Sequence, residues 1–338
     1  MDSLGRNFRV SVFGESHGPA VGVVLDGVRA GLPLTAEDFK TDLLRRKSGA
    51  AGTTPRIEND LPEILSGVFD GRATGTPITI IFRNENTRSG DYAALQDLPR
   101  PGHADYTARV KWKNFNDPRG GGHFSGRLTL PIVAAGVVAK KMCAYSFTAR
   151  LIEVGGCKDP DRQMEAVAAA TREGDSLGGI VECRIDDVPA GLGEPFFDSV
   201  ESLLAHAVFA IPGVRGIEFG DGFQAARMKG SEHNDPFACI GETVKPAKEG
   251  AGGINGGITN GGTLVFRVAF KPTSSIVKEQ RTLNLSTGAQ EILRVPGRHD
   301  TCFALRAPVI VEAMAAIVLA DLQARWSSTC SSSDLGGK

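Results

Sequence analysis

A glycine-rich run between two arginines, residues 119–127 (Arg-Gly-Gly-Gly-His-Phe-Ser-Gly-Arg), has the residue types of an anion-binding loop. Glycine lets backbone N–H groups come close to a ligand, and arginine presents a planar fork of donors that matches a carboxylate or a phosphate. The apolar residues 130–141 predict a buried helix whose N-terminus faces this loop and favours an anion there. We therefore expect an anionic, partly planar ligand; the alternative is an ordinary glycine-rich connection before a core helix.

Two histidines lie on short turns that contain glycine. His17 follows a predicted strand in residues 14–18 (Gly-Glu-Ser-His-Gly), and His103 lies in residues 100–105 (Arg-Pro-Gly-His-Ala-Asp) next to a carboxylate. Histidine titrates near neutral pH, and an adjacent carboxylate favours its protonated form. Both are candidate general acids. A turn-capping role for His17 and a surface turn around His103 are the alternatives.

Residues 14–18 also match the G-x-S-x-G pattern of the nucleophile elbow in serine hydrolases. That elbow joins a strand to a helix, whereas residues 19–26 predict a second strand here. The chain before Ser16 is also too short to form the sheet that normally precedes the elbow. A serine hydrolase that uses Ser16 is therefore a minor alternative.

Two further segments have the composition of anion sites. Arg45 and Arg46 end a helix that begins at a capping box in residues 35–38, although a helix dipole alone favours cations at this end. Lys271 and the hydroxyls of residues 273–275 follow a predicted strand and combine positive charge with hydrogen-bond donors, as a phosphate site requires. A polar turn is the alternative for the second segment.

These residues must be positioned by a mixture of strands and helices, which their periodicity predicts. The predicted strands are residues 8–13, 19–26, 63–69, 77–82, 149–154, 179–185 and 263–270. The predicted helices include residues 130–141, 161–172 and 308–326, the first and last of them buried. We expect one domain over residues 1–326 and a disordered tail over residues 327–338.

Composition excludes several classes of function. The net charge of -1 gives no general signal for nucleic acid or an acidic membrane surface. The N-terminus has no apolar signal core, and the apolar run near residue 135 is too short to span a bilayer. The six cysteines include no C-x-x-C pair, which favours reduced thiols over disulfides or a metal site. We therefore expect a cytoplasmic protein without a membrane, nucleic-acid or metal partner.

Five motifs, in order over residues 8 to 325, resemble those of the chorismate synthase family. They are residues 14–18 with Asp26 and Gly27, residues 100–105, residues 119–127, residues 271–275 and residues 298–300 (Arg-His-Asp). The resemblance implies an α+β fold, a β-α-β sandwich with central helices between antiparallel sheets, and a homotetramer. It also implies the activity, which is the 1,4-anti elimination of phosphate from 5-enolpyruvylshikimate 3-phosphate to give chorismate.

The resemblance implies that this elimination needs reduced FMN although no net oxidation occurs, with NADPH as an indirect reductant only. It places His17, His103 and Asp300 as catalytic residues, and Ser16, Arg45, Arg46 and Arg127 as substrate-binding residues. The implied flavin contacts are His123, Phe124, Ser125, Pro212, Gly213, Gly256, Lys271, Pro272, Thr273, Ser274, Ser275 and Arg298. A non-catalytic flavin or anion-binding protein is the other alternative.

The chain departs from the family pattern at two places. Many members have Arg-Ser where this chain has His123 and Phe124, so a flavin contact there would use backbone or ring atoms rather than a guanidinium. Many members also carry a basic residue near Gly52 and a proline at Ser48. Because of this departure, the sequence does not show whether a second cation contacts the substrate's phosphate.

Overall fold

The computed structural model describes residues 2–87, 97–241, 243–295 and 297–329. In these residues the strands are β1 (Ser3–Leu4), β2 (Arg9–Gly14), β3 (Ala20–Asp26), β4 (Glu63–Ser66), β5 (Val68–Phe69), β6 (Arg72–Ala73), β7 (Ile78–Arg83), β8 (Ser146–Val154), β9 (Gly179–Asp186), β10 (Val214–Phe219), β11 (Phe237–Ile240), β12 (Thr243–Pro246), β13 (Ile254–Asn255), β14 (Ile258–Thr259), β15 (Leu264–Phe270), β16 (Gln280–Leu283) and β17 (Gln290–Leu293). The helices are α1 (Lys40–Arg46), α2 (Asp105–Lys111), α3 (Thr129–Met142), α4 (Pro160–Glu173), α5 (Val200–Val208), α6 (Gly230–His233) and α7 (Pro308–Thr329).

Two antiparallel sheets enclose a pair of packed helices. One sheet has the strand order β1-β2-β3-β7-β4 and the other has the order β10-β15-β9-β8. Helix α3 packs against β2, β3 and β7 of the first sheet, and α7 packs against β8 and β9 of the second. Since α3 and α7 also pack on each other, the layers run sheet, helices, sheet. The predicted β-α-β sandwich is confirmed.

The two central helices are apolar on nearly all sides because both lie inside the sandwich. Every residue from 129 to 139 is buried in α3. The helices approach closely at Gly136, where an added Cβ would lie 2.3 Å from the Cβ of Ala313. Small residues are therefore required at this crossing, which explains why the two segments are rich in alanine.

Several element boundaries differ from the predictions: the predicted strand 63–69 is divided into β4 and β5, and β8 begins at Ser146 rather than at residue 149. Helix α2 begins at Asp105, where we expected only a turn around His103. Helix α7 continues to Thr329, three residues beyond its predicted end at 326, and residues 330–338 of the predicted tail lie outside the described residues. The single-domain assignment stays a prediction. Among the helices of the described segments, none combines the length and apolar character that crossing a bilayer requires.

A buried carboxylate on α7 joins three elements of the sandwich. Glu312 accepts hydrogen bonds from both Nη atoms of Arg45 (2.8 and 2.7 Å), from Lys140 Nζ (2.8 Å) and from the Ala149 backbone N–H (2.8 Å). Burial alone would raise the pKa of Glu312, but Arg45 and Lys140 outweigh it and hold this pKa below its usual value. The cluster therefore fastens α1 and α3 to α7 and β8.

Replacing Glu312 with glutamine should lower the free energy of unfolding by about 3 kcal/mol, because Arg45 and Lys140 lose the more deeply buried of their two carboxylate partners and keep only Asp42. Urea unfolding followed by circular dichroism measures this. The control is Glu37→Gln, whose ion pair with Lys40 is exposed on both sides and should contribute about 0.5 kcal/mol or less. Equal effects of the two substitutions would contradict the role of the cluster.

Candidate active site

A cavity of about 930 Å³ lies where loops from both sheets meet the central helices. Every predicted site residue lines it except Arg45 and Gly256. Residues 16 and 17 come from the turn after β2, residues 123–127 from the glycine-rich loop, residues 271–275 from the end of β15, and residues 298–300 from the segment before α7. Segments that are far apart in the sequence therefore contribute to one site.

The glycine-rich loop passes between the two histidines. Gly120, Gly121 and Gly122 all have left-handed backbone conformations, with φ values of 61°, 84° and 53°. A Cβ on Gly120 would lie 2.0 Å from His17 Nδ1, and a Cβ on Gly121 would lie 3.4 Å from His103 Nε2. Only glycine combines this backbone with so close an approach to both rings.

The His17 side of the loop is organised by Arg56, a residue that we did not predict. Arg56 donates to Ser16 Oγ (2.9 Å) and to the Ser16 carbonyl (3.1 Å), and it pairs with the buried Glu58 (2.7 Å). Burial, and then the charge of Arg56, lower the pKa of His17 below 6.5. The hydroxyl of Ser16 thus bonds to a guanidinium, which cannot accept its proton as the base of a serine hydrolase must.

The His103 side is organised by Asp105. His103 Nδ1 lies 2.7 Å from Asp105 Oδ1, which can only accept, and 3.1 Å from Arg100 Nη2, which can only donate; the shorter contact assigns the hydrogen to Nδ1. Arg100 holds the same carboxylate through its Nε and Nη2 atoms at 2.7 Å each. Burial lowers the pKa of His103, and the hydrogen bond to Asp105 opposes this shift. Burial would raise the pKa of Asp105, but bonds from Arg100 and His103 hold it well below its usual range.

Arg46 and Arg127 form a buried cationic pair deeper in the cavity. Each donates to a different oxygen of Asp60: Arg46 Nη1 lies 3.4 Å from Oδ2, and Arg127 Nη1 bonds to Oδ1. Thr129 Oγ1 also accepts from Arg46 (3.0 Å), and Asn84 Oδ1 accepts from Arg127 (3.0 Å). Burial and then the nearby Arg306 lower the pKa of Arg46 to about 9, so it stays charged at neutral pH.

The Asp300 side chain accepts hydrogen bonds from two neighbours. Arg306 donates to both of its oxygens (3.0 and 2.7 Å), and the Thr54 backbone N–H donates to Oδ1 (2.9 Å). Arg298, two residues earlier, donates to Asn86 Oδ1 (3.0 Å) and to its carbonyl (3.2 Å). The segment before α7 thus contributes both a carboxyl group and a guanidinium to the cavity.

Residues 271–275 and the His103 turn form one wall. Lys271 Nζ donates to Ser274 Oγ (2.8 Å), and Ser274 Oγ donates to the Gly102 carbonyl (2.9 Å). Ser275 Oγ accepts from Arg100 Nη1 at 3.0 Å. Burial and the charge of Arg215 lower the pKa of Lys271. This wall presents a cation and hydroxyls together, and apolar residues also line the cavity, including Val10, Val12, Leu128, Ile132, Ile211, Val214, Met314 and Ile317.

Comparison with known proteins accounts for this arrangement. A family model described as chorismate synthase matches residues 8–323. The chain belongs to the chorismate synthase family. A chorismate synthase of Chitinophaga pinensis is 62% identical over 323 residues, which are 95% of this chain and 96% of the relative. One of Korarchaeum cryptofilum is 47% identical over 348 residues, with 95% and 96% covered.

A solved structure, "Crystal Structure of Chorismate Synthase", superposes on this chain with a TM-score of 0.72. The two sequences are 27% identical, and the match covers 94% of this chain and 92% of that one. As a member of the chorismate synthase family, the protein is a carbon–oxygen lyase of the shikimate pathway.

The two departures from the chorismate synthase pattern have structural explanations. His123 is held by the Gly14 carbonyl at Nδ1 (2.8 Å) and by Asp2 at Nε2 (3.2 Å), and Phe124 packs on Trp112 with ring centroids 5.6 Å apart. A Cβ on Gly52 would lie 2.4 Å from Val167 and 2.9 Å from a Leu305 methyl group. Position 52 therefore has no room for a basic side chain unless its neighbours move.

Two predicted site residues are not brought to the cavity. Arg45 lies outside its lining because its guanidinium forms the bidentate pair with Glu312. Gly256 lies in the turn between β13 and β14, where nothing is within 4 Å of the position of a Cβ. The resemblance to chorismate synthases carried both residues over by alignment, and the structure removes both from the cavity wall of this chain.

Several charged residues of the cavity were not predicted from the sequence, and four of them lie close to predicted segments: Arg56, Glu58, Asp60 and Arg306. Arg306 lies within eight residues of the motif at 298–300. Arg56, Glu58 and Asp60 lie within eight residues of the glycine- and threonine-rich run that follows the basic end of α1. Their charge was a signal, but some of their partners are distant in the sequence: Arg56 binds Ser16, and Asp60 binds Arg127. Within the described residues, no group of three His, Cys, Asp or Glu side chains could hold a metal ion.

Proposed function

We propose that the protein converts 5-enolpyruvylshikimate 3-phosphate into chorismate and phosphate, with reduced FMN bound in the same cavity. The observation that carries the proposal is the convergence of His17, His103, Arg46 and Arg127 on one cavity around the glycine-rich loop. A substrate with two carboxylates and a phosphate requires several buried cations, and bidentate arginines match such groups. The cavity volume is at the upper end of the range for small-molecule sites, as substrate and cofactor together require.

The residues present fit FMN. Lys271, Ser274 and Ser275 offer the charge and hydroxyls that a phosphate group needs, and the apolar side chains of the lining suit a flat ring system. Within this proposal the flavin-contacting residues are those of the predicted set that line the cavity; Arg45 and Gly256 have no role in it. When bound, reduced FMN supplies the transient electron that assists the elimination.

The chain's own residues bind anions and manage protons. Arg46 and Arg127 hold anionic groups of the substrate, and Ser16 donates a hydrogen bond. His17, whose pKa is lowered in the ligand-free protein, gains an anionic neighbour when the substrate's phosphate arrives, and this favours its protonated form as the phosphate departs. His103 presents Nε2 toward the loop because Asp105 holds Nδ1, and Asp300 assists removal of the ring proton.

The deciding experiment is anaerobic turnover of 5-enolpyruvylshikimate 3-phosphate with chemically reduced FMN. Chorismate absorbance and phosphate release should rise together in equal amounts, and only with reduced flavin. Binding of both ligands without either product would favour the non-catalytic alternative. NADPH as an indirect reductant, homotetrameric assembly and a cytoplasmic location belong to the same proposal and rest on the family resemblance.

Asp105→Asn should shift the pH dependence of turnover. Asp105 raises the pKa of His103, so removing its charge lowers that pKa further. If protonated His103 is required, the alkaline limb of the kcat profile moves to lower pH, and kcat at pH 7.5 falls roughly 10- to 100-fold. Steady-state kinetics from pH 5.5 to 9 measure this. An unmoved alkaline limb would show that Asp105 does not act through His103.

A further inference from the structure

Asp60 has a backbone conformation that is uncommon for residues other than glycine. Its φ is 56°, in the left-handed region, and only a few other non-glycine residues of the described segments share this feature. The side chain of Asp60 is 7% exposed and lines the cavity. Strained residues of this kind persist where the surrounding structure holds them in place, and they cluster at functional sites. The conformation of Asp60 therefore indicates that its carboxylate has a role in the site.

The carboxylate of Asp60 connects two arginines from different elements. Arg46 ends α1 and Arg127 closes the glycine-rich loop, and each bonds to its own oxygen of Asp60. The other acids of the cavity serve their neighbours differently. Glu58 accepts from Arg56 and from the backbone, and Asp300 accepts from Arg306 and Thr54. Within the described residues of the cavity, Asp60 is thus the acid that sets the distance between two guanidiniums.

We propose that Asp60 is a positioning residue that holds Arg46 and Arg127 at one separation, so that the pair forms a single seat for one anionic group of the substrate. The proposal rests on the proposed function, in which these arginines bind substrate. The seat binds a group that carries anionic oxygens, and this group is either a carboxylate or the phosphate of the substrate.

Two opposing effects make the proposal testable. Removing the negative charge of Asp60 strengthens the attraction of the buried arginines for any anion. It also lets the like-charged guanidiniums move apart, although Thr129 and Asn84 still hold each of them. A displacement of about 1 Å at a binding group can cost roughly 100-fold in rate. Ground-state binding and turnover should therefore change in opposite directions.

The variants are Asp60→Asn and Asp60→Gly, since both residue types tolerate a left-handed backbone. We expect kcat to fall at least roughly 30-fold in both. The KM for substrate should not rise, and the affinity for FMN should stay within about threefold of wild type. Asp70→Asn is the matched control, because Asp70 also has a left-handed φ (47°) but is exposed and outside the cavity.

Two probes identify the seat's ligand. Inorganic phosphate and shikimate, which carries a carboxylate but no phosphate, are titrated by calorimetry into wild type and Asp60→Asn with oxidised FMN present. Tighter binding of phosphate assigns the seat to the phosphate group, and tighter binding of shikimate assigns it to a carboxylate. Unchanged binding of both probes overturns the proposal.

Steady-state kinetics of the Asp60 variants also test the proposal. A kcat of Asp60→Asn within threefold of wild type overturns the proposal, as does a parallel loss of FMN affinity and thermal stability, which indicates general damage to the fold. Failure of the wild-type protein to turn over substrate contradicts the proposed function instead, and the calorimetric arm still tests the seat on its own.

Discussion

Arg127→Lys is expected to reduce kcat/KM for 5-enolpyruvylshikimate 3-phosphate roughly 1,000-fold. Arg127 is buried and donates at once to Asp60, to Asn84 Oδ1 (3.0 Å) and to the Arg83 carbonyl (3.2 Å). A lysine keeps the charge but not the planar fork, so it cannot keep these partners and also contact the substrate's anionic group through two donors. Two charge-assisted hydrogen bonds to the substrate are then lost, at about 2 kcal/mol each. That loss corresponds to roughly three orders of magnitude in rate.

The matched control is Arg45→Lys. Arg45 precedes Arg46 on the same helix, but its guanidinium is bound to Glu312 and lies outside the cavity. This variant should lower thermal stability while leaving kcat and KM within about twofold, because the pair with Glu312 is structural. Steady-state kinetics and thermal unfolding of both variants measure the contrast. A large loss of activity in Arg45→Lys would restore Arg45 to the substrate site and contradict its assignment to the structural pair with Glu312.

Gly120→Ala is expected to reduce kcat at least roughly 100-fold, because it pushes His17 out of position. The new methyl group would lie 2.0 Å from His17 Nδ1, and the backbone φ of 61° is unfavourable for alanine. FMN affinity should change much less, since Lys271 and the following hydroxyls form a different wall of the cavity. Stopped-flow turnover with reduced FMN and fluorescence titration of oxidised FMN separate the two effects.

Gly156→Ala separates the steric effect from backbone strain. Gly156 has a φ of 87°, yet no heavy atom lies within 4 Å of the position of its Cβ, and it lies outside the cavity. We therefore expect a small loss of stability and unchanged turnover. If the two alanine variants lost turnover equally, close approach to His17 would not be the cause.

Local sequence patterns were sufficient to predict an element wherever the composition of the segment itself decides its structure. The alanine-rich apolar segments became α3 and α7, because a helix that is apolar on all sides can only be buried. Alternating apolar residues in β2 and β3 predicted the strands that place His17 at a turn. The triple glycine predicted close approach to a neighbour, although it could not say that the neighbours are His17 and His103.

Those patterns could not predict contacts between segments that are distant in the sequence. Arg45 and Arg46 are adjacent and chemically identical, so no local rule distinguishes them. Successive residues of a helix point about 100° apart, which sends Arg45 to Glu312 on α7 and Arg46 to Asp60 and the cavity. The same holds for Arg56, which is 40 residues from the Ser16 hydroxyl that it binds.

The sequence by itself therefore determined the elements, the buried helix pair and the motifs that could bind an anionic ligand. Only the tertiary structure decided which arginines face the ligand, which carboxylates hold them, and that Gly52 leaves no space for another cation. The physical reason is that hydrophobic periodicity is a property of neighbouring residues. The partner of a buried charge is instead selected by packing, across separations of up to 315 residues in this chain.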